Sequence, residues 1–190
     1  MSDGPGDELS LSPDEARIAI VGTTGSGKTS LAGGLSTRLR VPHVELDALF
    51  WGPEWTQVPD EVFRDRVSTA LSADRWVADG NYRAVRDLVW SRATTLVWLD
   101  PSLLVTLRRL LMRTLRRCLT REELWSGNTE SFRTSFFSRN SLLLYAVSTH
   151  KRRRRDLADT FRNPEYPHLK VVRLSSGSSV RRWLGGVGHA

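Results

Sequence analysis

Residues Gly22-Thr23-Thr24-Gly25-Ser26-Gly27-Lys28-Thr29 match G-x-x-x-x-G-K-[ST] without a mismatch. The chemistry served by this spacing is the binding of a polyphosphate. Glycines let the backbone curl closely around an anion, with successive N–H groups pointing inward. The helix expected from Gly27 adds its dipole, and Ser30 continues its first turn. Lys28 is placed to reach the β- and γ-phosphates, and the Thr29 hydroxyl to ligate Mg²⁺. ATP with Mg²⁺ is the expected cofactor set.

Three carboxylates carry the next candidates. Asp79 and Asp100 both end apolar runs, a pattern expected of a group that holds Mg²⁺ directly or through water. Asp100 precedes Pro101 and a helical stretch, so it reads equally as a helix cap, and Asp79 is the favoured metal ligand. Asp47 follows Glu45-Leu46 and is placed to accept the proton of an attacking hydroxyl or to bind a hydroxylated substrate; a plain turn residue is the alternative. The aromatic turn Phe50-Trp51-Gly52-Pro53-Glu54-Trp55 offers Trp51 to stack on a substrate, or simply to fill space under a loop.

Cations gather farther along. On the helical pattern Ser102–Cys118, Leu103, Leu104, Leu107, Leu110, Leu111, Leu115 and Cys118 fall on one side. Arg109, Arg113, Arg116 and Arg117 fall on the other, and Arg121 follows. Arginines side by side repel unless an anion neutralises them, and their planar forks suit phosphate oxygens. Lys151-Arg152-Arg153-Arg154-Arg155 differs, because five consecutive cations point all round a helix; it reads as a solvated helix end or a polyanion contact.

The elements that position these residues alternate. Strands are expected at 17–21, 43–46, 76–79, 95–99 and 169–174, and helices at 27–39, 60–73, 84–90, 102–118, 141–161 and 178–184. Such alternation predicts an α/β fold with a parallel sheet covered by helices on both faces. Ligands in these sheets bind at the carboxyl ends of the strands, where Asp47, Asp79 and Asp100 stand.

The 190 residues suit a single domain. Tails are expected at 1–14 and 185–190 around a body at 15–184. Cys118 is the one cysteine, which excludes an internal disulfide and fits a reducing compartment. The N-terminus has no signal-peptide pattern and no run approaches a membrane span, so a cytoplasmic protein without membrane contact is expected. Net charge is +7, and residues 101–155 hold 13 lysines and arginines against three acids. One basic segment in an otherwise slightly acidic chain fits closure over phosphates at least as well as nucleic-acid binding.

The phosphate loop, Glu45-Leu46-Asp47-Ala48-Leu49-Phe50-Trp51, Asp79-Gly80-Asn81-Tyr82, Val97-Trp98-Leu99-Asp100 and Leu119-Thr120-Arg121-Glu122-Glu123-Leu124-Trp125-Ser126-Gly127-Asn128 together resemble adenylate-kinase-related P-loop proteins of the topology-modulation type. The resemblance implies a nucleoside-monophosphate-kinase-like fold with five parallel strands in the order 2-3-1-4-5. It also implies an acceptor-binding insertion at about 47–75 and a lid at about 113–140. Carried over by position, Lys28 and Thr29 take the phosphate and Mg²⁺ roles and Asp79 the metal-water role. Arg83 falls where adenylate kinases place an arginine for the acceptor's phosphate, although Asn81-Tyr82 replaces their Phe-Pro. Arg117 and Arg121 are the candidate lid arginines, and Ser175-Ser176-Gly177 the candidate adenine contact. The implied activity is ATP-dependent phosphorylation of a small-molecule acceptor by a monomer or homodimer. The alternatives are a nucleic-acid-associated ATPase affecting DNA topology and a nucleotide-binding switch.

Overall fold

In the computed structural model, which describes residues 16–120, 123–128, 142–162 and 165–187, five strands form one parallel sheet in the order β2-β3-β1-β4-β5. The strands are β1 (Arg17–Gly22), β2 (His43–Glu45), β3 (Trp76–Asp79), β4 (Thr95–Leu99) and β5 (Lys170–Leu174). Both the α/β class and the strand order are those expected. β1 lies centrally, and its side chains show why: Ile18 and Ile20 enter one hydrophobic layer while Ala19 and Val21 enter the other. A strand covered on both faces leaves no side for water. β5 is an edge, and of its five residues Val172 and Leu174 are the buried ones.

The helices among the described residues are α1 (Lys28–Leu39), α2 (Leu46–Phe50), α3 (Asp60–Ala70), α4 (Arg86–Arg92), α5 (Leu103–Thr120), α6 (Leu142–Arg162) and α7 (Gly177–Gly186). α1 and α7 cover one face of the sheet through Leu31, Leu35, Val180 and Trp183. α3 and α4 cover the other through Phe63, Val67, Val89 and Trp90, and α6 adds Leu157 and Phe161. Among the described residues no helix is long and apolar enough to cross a membrane.

Four local differences bear on the site. β2 stops at Glu45, so Asp47 sits in the first turn of α2 instead of ending a strand. Asp100 does not cap α5: the Ser102 hydroxyl accepts from the Val105 N–H at 3.5 Å. The two-sided pattern of α5 does not bury its leucine face as a whole. Its buried line runs through Thr106, Leu110 and Thr114, at the border of the two sides, and Leu104 and Leu119 are 80% and 76% exposed. With the helix packed on that border, Arg109, Arg113, Arg116 and Arg117 line the cleft beside the β1–α1 loop. Finally, α7 runs to Gly186 and Val187 is buried in the core, so the packed body extends past residue 184.

Phe63 links the core to the ligand edge. Its ring centroid lies 5.1 Å from those of Phe50 on α2 and Tyr82 after β3, in edge-on contacts. Phe63→Ala is expected to cost about 3–5 kcal/mol of stability, since a fully buried ring leaves a cavity. A urea titration should show a lower midpoint with an unchanged slope.

Candidate functional site

The loop from β1 to α1 folds back on itself, with Ser26 N–H donating to Thr23 O at 3.1 Å. Gly27, at φ 100°, takes the left-handed conformation that glycine enters without penalty. Gly25 passes so close to α5 that a Cβ there would meet Thr106 O at 2.9 Å. α1 begins with no side-chain cap, so its first amides are left to an anion. The Lys28 ammonium donates to Thr23 O at 3.3 Å. Burial pushes it below the ordinary lysine range; Asp47 and Asp79 oppose that shift, and Arg113 and Arg153 add to it. From α5, Arg109 donates to Ser26 O at 2.9 Å and braces the loop from outside.

Beside the loop lies a carboxylate set. Asp79, 3% exposed, accepts from the Thr29 hydroxyl at 2.8 Å and bonds His43 Nε2 at 2.8 Å. Glu45 Oε1 is 3.4 Å from the same hydroxyl, and its Oε2 accepts from Trp125 Nε1 at 3.0 Å. Burial raises Glu45 above the ordinary carboxylate range, against the pull of the Trp125 bond. Thr29 and Asp79 together are a hard-oxygen pair that fits Mg²⁺. Among the described residues no three His, Cys, Asp or Glu gather into a group that could hold a metal by themselves.

Asp100 is elsewhere engaged. Its carboxylate accepts from Arg154 Nε at 3.0 Å and from Arg173 Nε at 3.0 Å, and Arg173 lies 4.6 Å over the Trp98 ring. Of the two candidate metal carboxylates, Asp79 is the one beside Thr29.

Across the cleft, Asp47 Oδ1 accepts from the Tyr82 hydroxyl at 2.5 Å. Phe50, Trp51, Trp55 and Trp125 line this side, with Trp51 and Trp55 meeting edge to face at 5.7 Å. Arg83 is at the rim, paired with Asp156 of α6 at 3.1 Å. Arg113, Arg116 and Arg117 of α5 line the same cleft. Arg121 lies outside the described residues. The Lys151–Arg155 run is split: Arg152 and Arg153 line the cleft and Arg154 pairs with Asp100. All of the run except Arg153 is nonetheless exposed, so it remains a largely solvated stretch of helix.

Lys28, Thr29, Ser30, Asp47, Trp51, Arg83 and Arg117 thus share one cleft, with Asp79 directly behind Thr29. The sequence reading passed over Glu45, His43, Tyr82, Trp125 and Asn128 as site residues. Glu45, Tyr82, Trp125 and Asn128 stand inside the motif stretches, but only position in three dimensions links them to Thr29 and Asp47.

Among solved structures, the chain is similar to a gluconokinase from Sinorhizobium meliloti 1021, with a TM-score of 0.52, 20% identity and 91% of each chain covered. It is also similar to a shikimate kinase from Bacteroides thetaiotaomicron, with a TM-score of 0.53, 16% identity, and 90% of this chain and 94% of that one covered. No family model and no curated protein matches the sequence. At these identities the likeness is one of fold: the chain has a P-loop kinase-like fold.

The His43–Asp79 bond makes stability depend on pH. The bond to Asp79 raises His43 above its ordinary value of 6.5, outweighing burial. A raised folded value means the contribution is complete below 6.5 and fades as pH climbs through the folded value. In urea unfolding without divalent metal, the stability gap between wild type and His43→Asn should therefore be largest below pH 6.5 and shrink as the pH is raised above it.

Proposed function

We propose that this protein transfers the γ-phosphoryl group of ATP to a hydroxyl of a small-molecule acceptor, such as a nucleoside, a nucleotide or another hydroxylated metabolite. The observation that carries this reading is one cleft with two unlike halves. One half is a glycine loop with uncapped helix amides, Lys28 and Thr29; the other is Asp47, hydrogen-bonded to Tyr82, among indole rings. The resemblance to adenylate-kinase-related proteins of the topology-modulation type supports the same reading.

In this mechanism the loop amides and Lys28 hold the β- and γ-phosphates, and Thr29 and Asp79 would hold Mg²⁺. When bound, the metal neutralises charge on the phosphate oxygens. Asp47 orients the acceptor hydroxyl and takes its proton as the oxygen attacks the γ-phosphorus. The bond from that phosphorus to the bridging oxygen breaks, and ADP leaves. Tyr82 holds the Asp47 carboxylate in place, and Trp51 walls the acceptor. Arg113 and Arg117, which line the cleft, would stabilise the charge spread over the transferring group, with Arg121 a further candidate. Arg83 serves the acceptor side from the rim.

The basic run gives less support to a nucleic-acid-associated ATPase. Two of its arginines line the cleft and a third is bound to Asp100, so it presents no single outward face.

A screen of nucleosides, nucleotides, sugars and hydroxy acids should find acceptor-dependent ADP release; its absence across all four classes would falsify the transfer reading. Lys28→Ala should abolish turnover. Asp47→Asn should lower kcat by about 10²–10⁴-fold, the range of general-base removal. It should keep the thermal-midpoint rise that MgATP produces, because Asp47 serves the acceptor half.

A further inference from the structure

The Leu124–Asn128 turn has no part in the steps above, yet it is fastened to the acceptor loop. Asn128, 5% exposed, accepts at Oδ1 from the Trp55 N–H at 2.9 Å. Its Nδ2 donates to Gly52 O at 2.9 Å and to Trp125 O at 2.8 Å. Ser126 Oγ adds a bond to Trp51 O at 3.0 Å. One buried amide thus uses its carbonyl oxygen and its NH₂ group to stitch two loops that lie more than 70 residues apart in sequence.

Backbone strain collects at this same seam. Glu54, Trp55 and Ser126 have φ of 55°, 56° and 57°, the left-handed region that side chains disfavour. Among the described residues the one other non-glycine there is Arg40, at the end of α1. Such conformations persist where surrounding contacts over-determine them, and they cluster at functional sites. The stitched turn also carries Trp125, whose indole N–H reaches Glu45, and Glu45 in turn neighbours the Thr29 hydroxyl. A continuous line of polar contacts runs from Asn128 to the phosphate loop.

We propose that Asn128 is a positioning residue. By pinning the Trp125 turn to the Gly52–Thr56 loop, it holds Trp125 against Glu45 and closes the acceptor side of the cleft to water. The inference rests on the phosphotransfer reading. A site that activates a hydroxyl also activates water, so it must keep water out until the acceptor arrives. In the side reaction suppressed here, a water oxygen attacks the γ-phosphorus and the bond to the β-phosphate oxygen breaks. The water proton passes to Asp47 or solvent, and ADP and inorganic phosphate leave.

The test measures acceptor-free release of ADP and phosphate at saturating MgATP for the full chain. Asn128→Ala removes the stitch, and Trp125→Phe is the milder change that loses only the bond to Glu45. Val67→Ala, in the core away from the seam, controls for general loss of stability. Release should rise about tenfold in Asn128→Ala and less in Trp125→Phe, with KM for ATP within about twofold of wild type and no rise in Val67→Ala. Should Asn128→Ala fail to fold, Trp125→Phe alone decides. MgATP that raises the wild-type midpoint, with no faster release in the seam variants, overturns the seal and leaves the transfer reading standing. MgATP without effect on the wild-type midpoint overturns both.

Discussion

A carboxylate as deeply buried as Asp79 must be met by donors, because an unmatched buried charge costs several kcal/mol. Its donors come from two other elements: Thr29 at the start of α1 and His43 on β2. That single group therefore fixes the phosphate loop, the central strands and the edge strand β2 relative to one another. Strand pairing supports the arrangement, with β3 lying between β1 and β2 in parallel register. With Asp79 seated, the Thr29 hydroxyl is held at the start of α1, and Glu45 is brought up beside it. The candidate metal position is a consequence of how the sheet is tied together.

Cations form the opposite wall under a related constraint. Arginine side chains crowd the cleft from α5, α6 and α7. Close cations raise each other's free energy unless carboxylates or a bound anion intervene. The fold uses carboxylates where it needs rigidity: Asp100 takes Arg154 and Arg173, and Asp156 takes Arg83. The Asp100 pairings anchor α6 to the edge strand β5, and with it the helix carrying Arg152 and Arg153 into the cleft. A chain with 28 basic residues against 21 acidic ones can hold such a wall, and a polyphosphate would complete it.

Between these walls the Asp47 side of the cleft is built from aromatic packing. Phe63 supports Phe50 and Tyr82, and Tyr82 fixes Asp47. The indoles of Trp51, Trp55 and Trp125 continue the same surface toward the rim, with centroids 5.7 and 6.3 Å apart. Rings suit this task because they present large area with few rotatable bonds, so the wall holds its shape without a ligand.

Much of this was legible in local sequence. Apolar runs and their alternation with helical spacing identified the five strands of the sheet, and the glycine pattern at Gly22–Thr29 located the loop between β1 and α1, because both signals depend on near neighbours. The strand order came from resemblance of motifs, and pairing in the structure agrees with it. Periodicity recorded the two chemical faces of α5 but not which line of the helix meets its neighbours, which runs through Thr106, Leu110 and Thr114. Pattern likewise left Asp79 and Asp100 as rivals, each an acid at the end of an apolar run. Tertiary structure separated them by giving Thr29 to one and two arginines to the other. The Asn128 stitch and the Arg83–Asp156 pair were also decided there, across more than 70 residues of chain. Chemistry written in a few consecutive residues can be read from the chain alone; which buried polar group meets which partner is settled only when packing brings distant segments together.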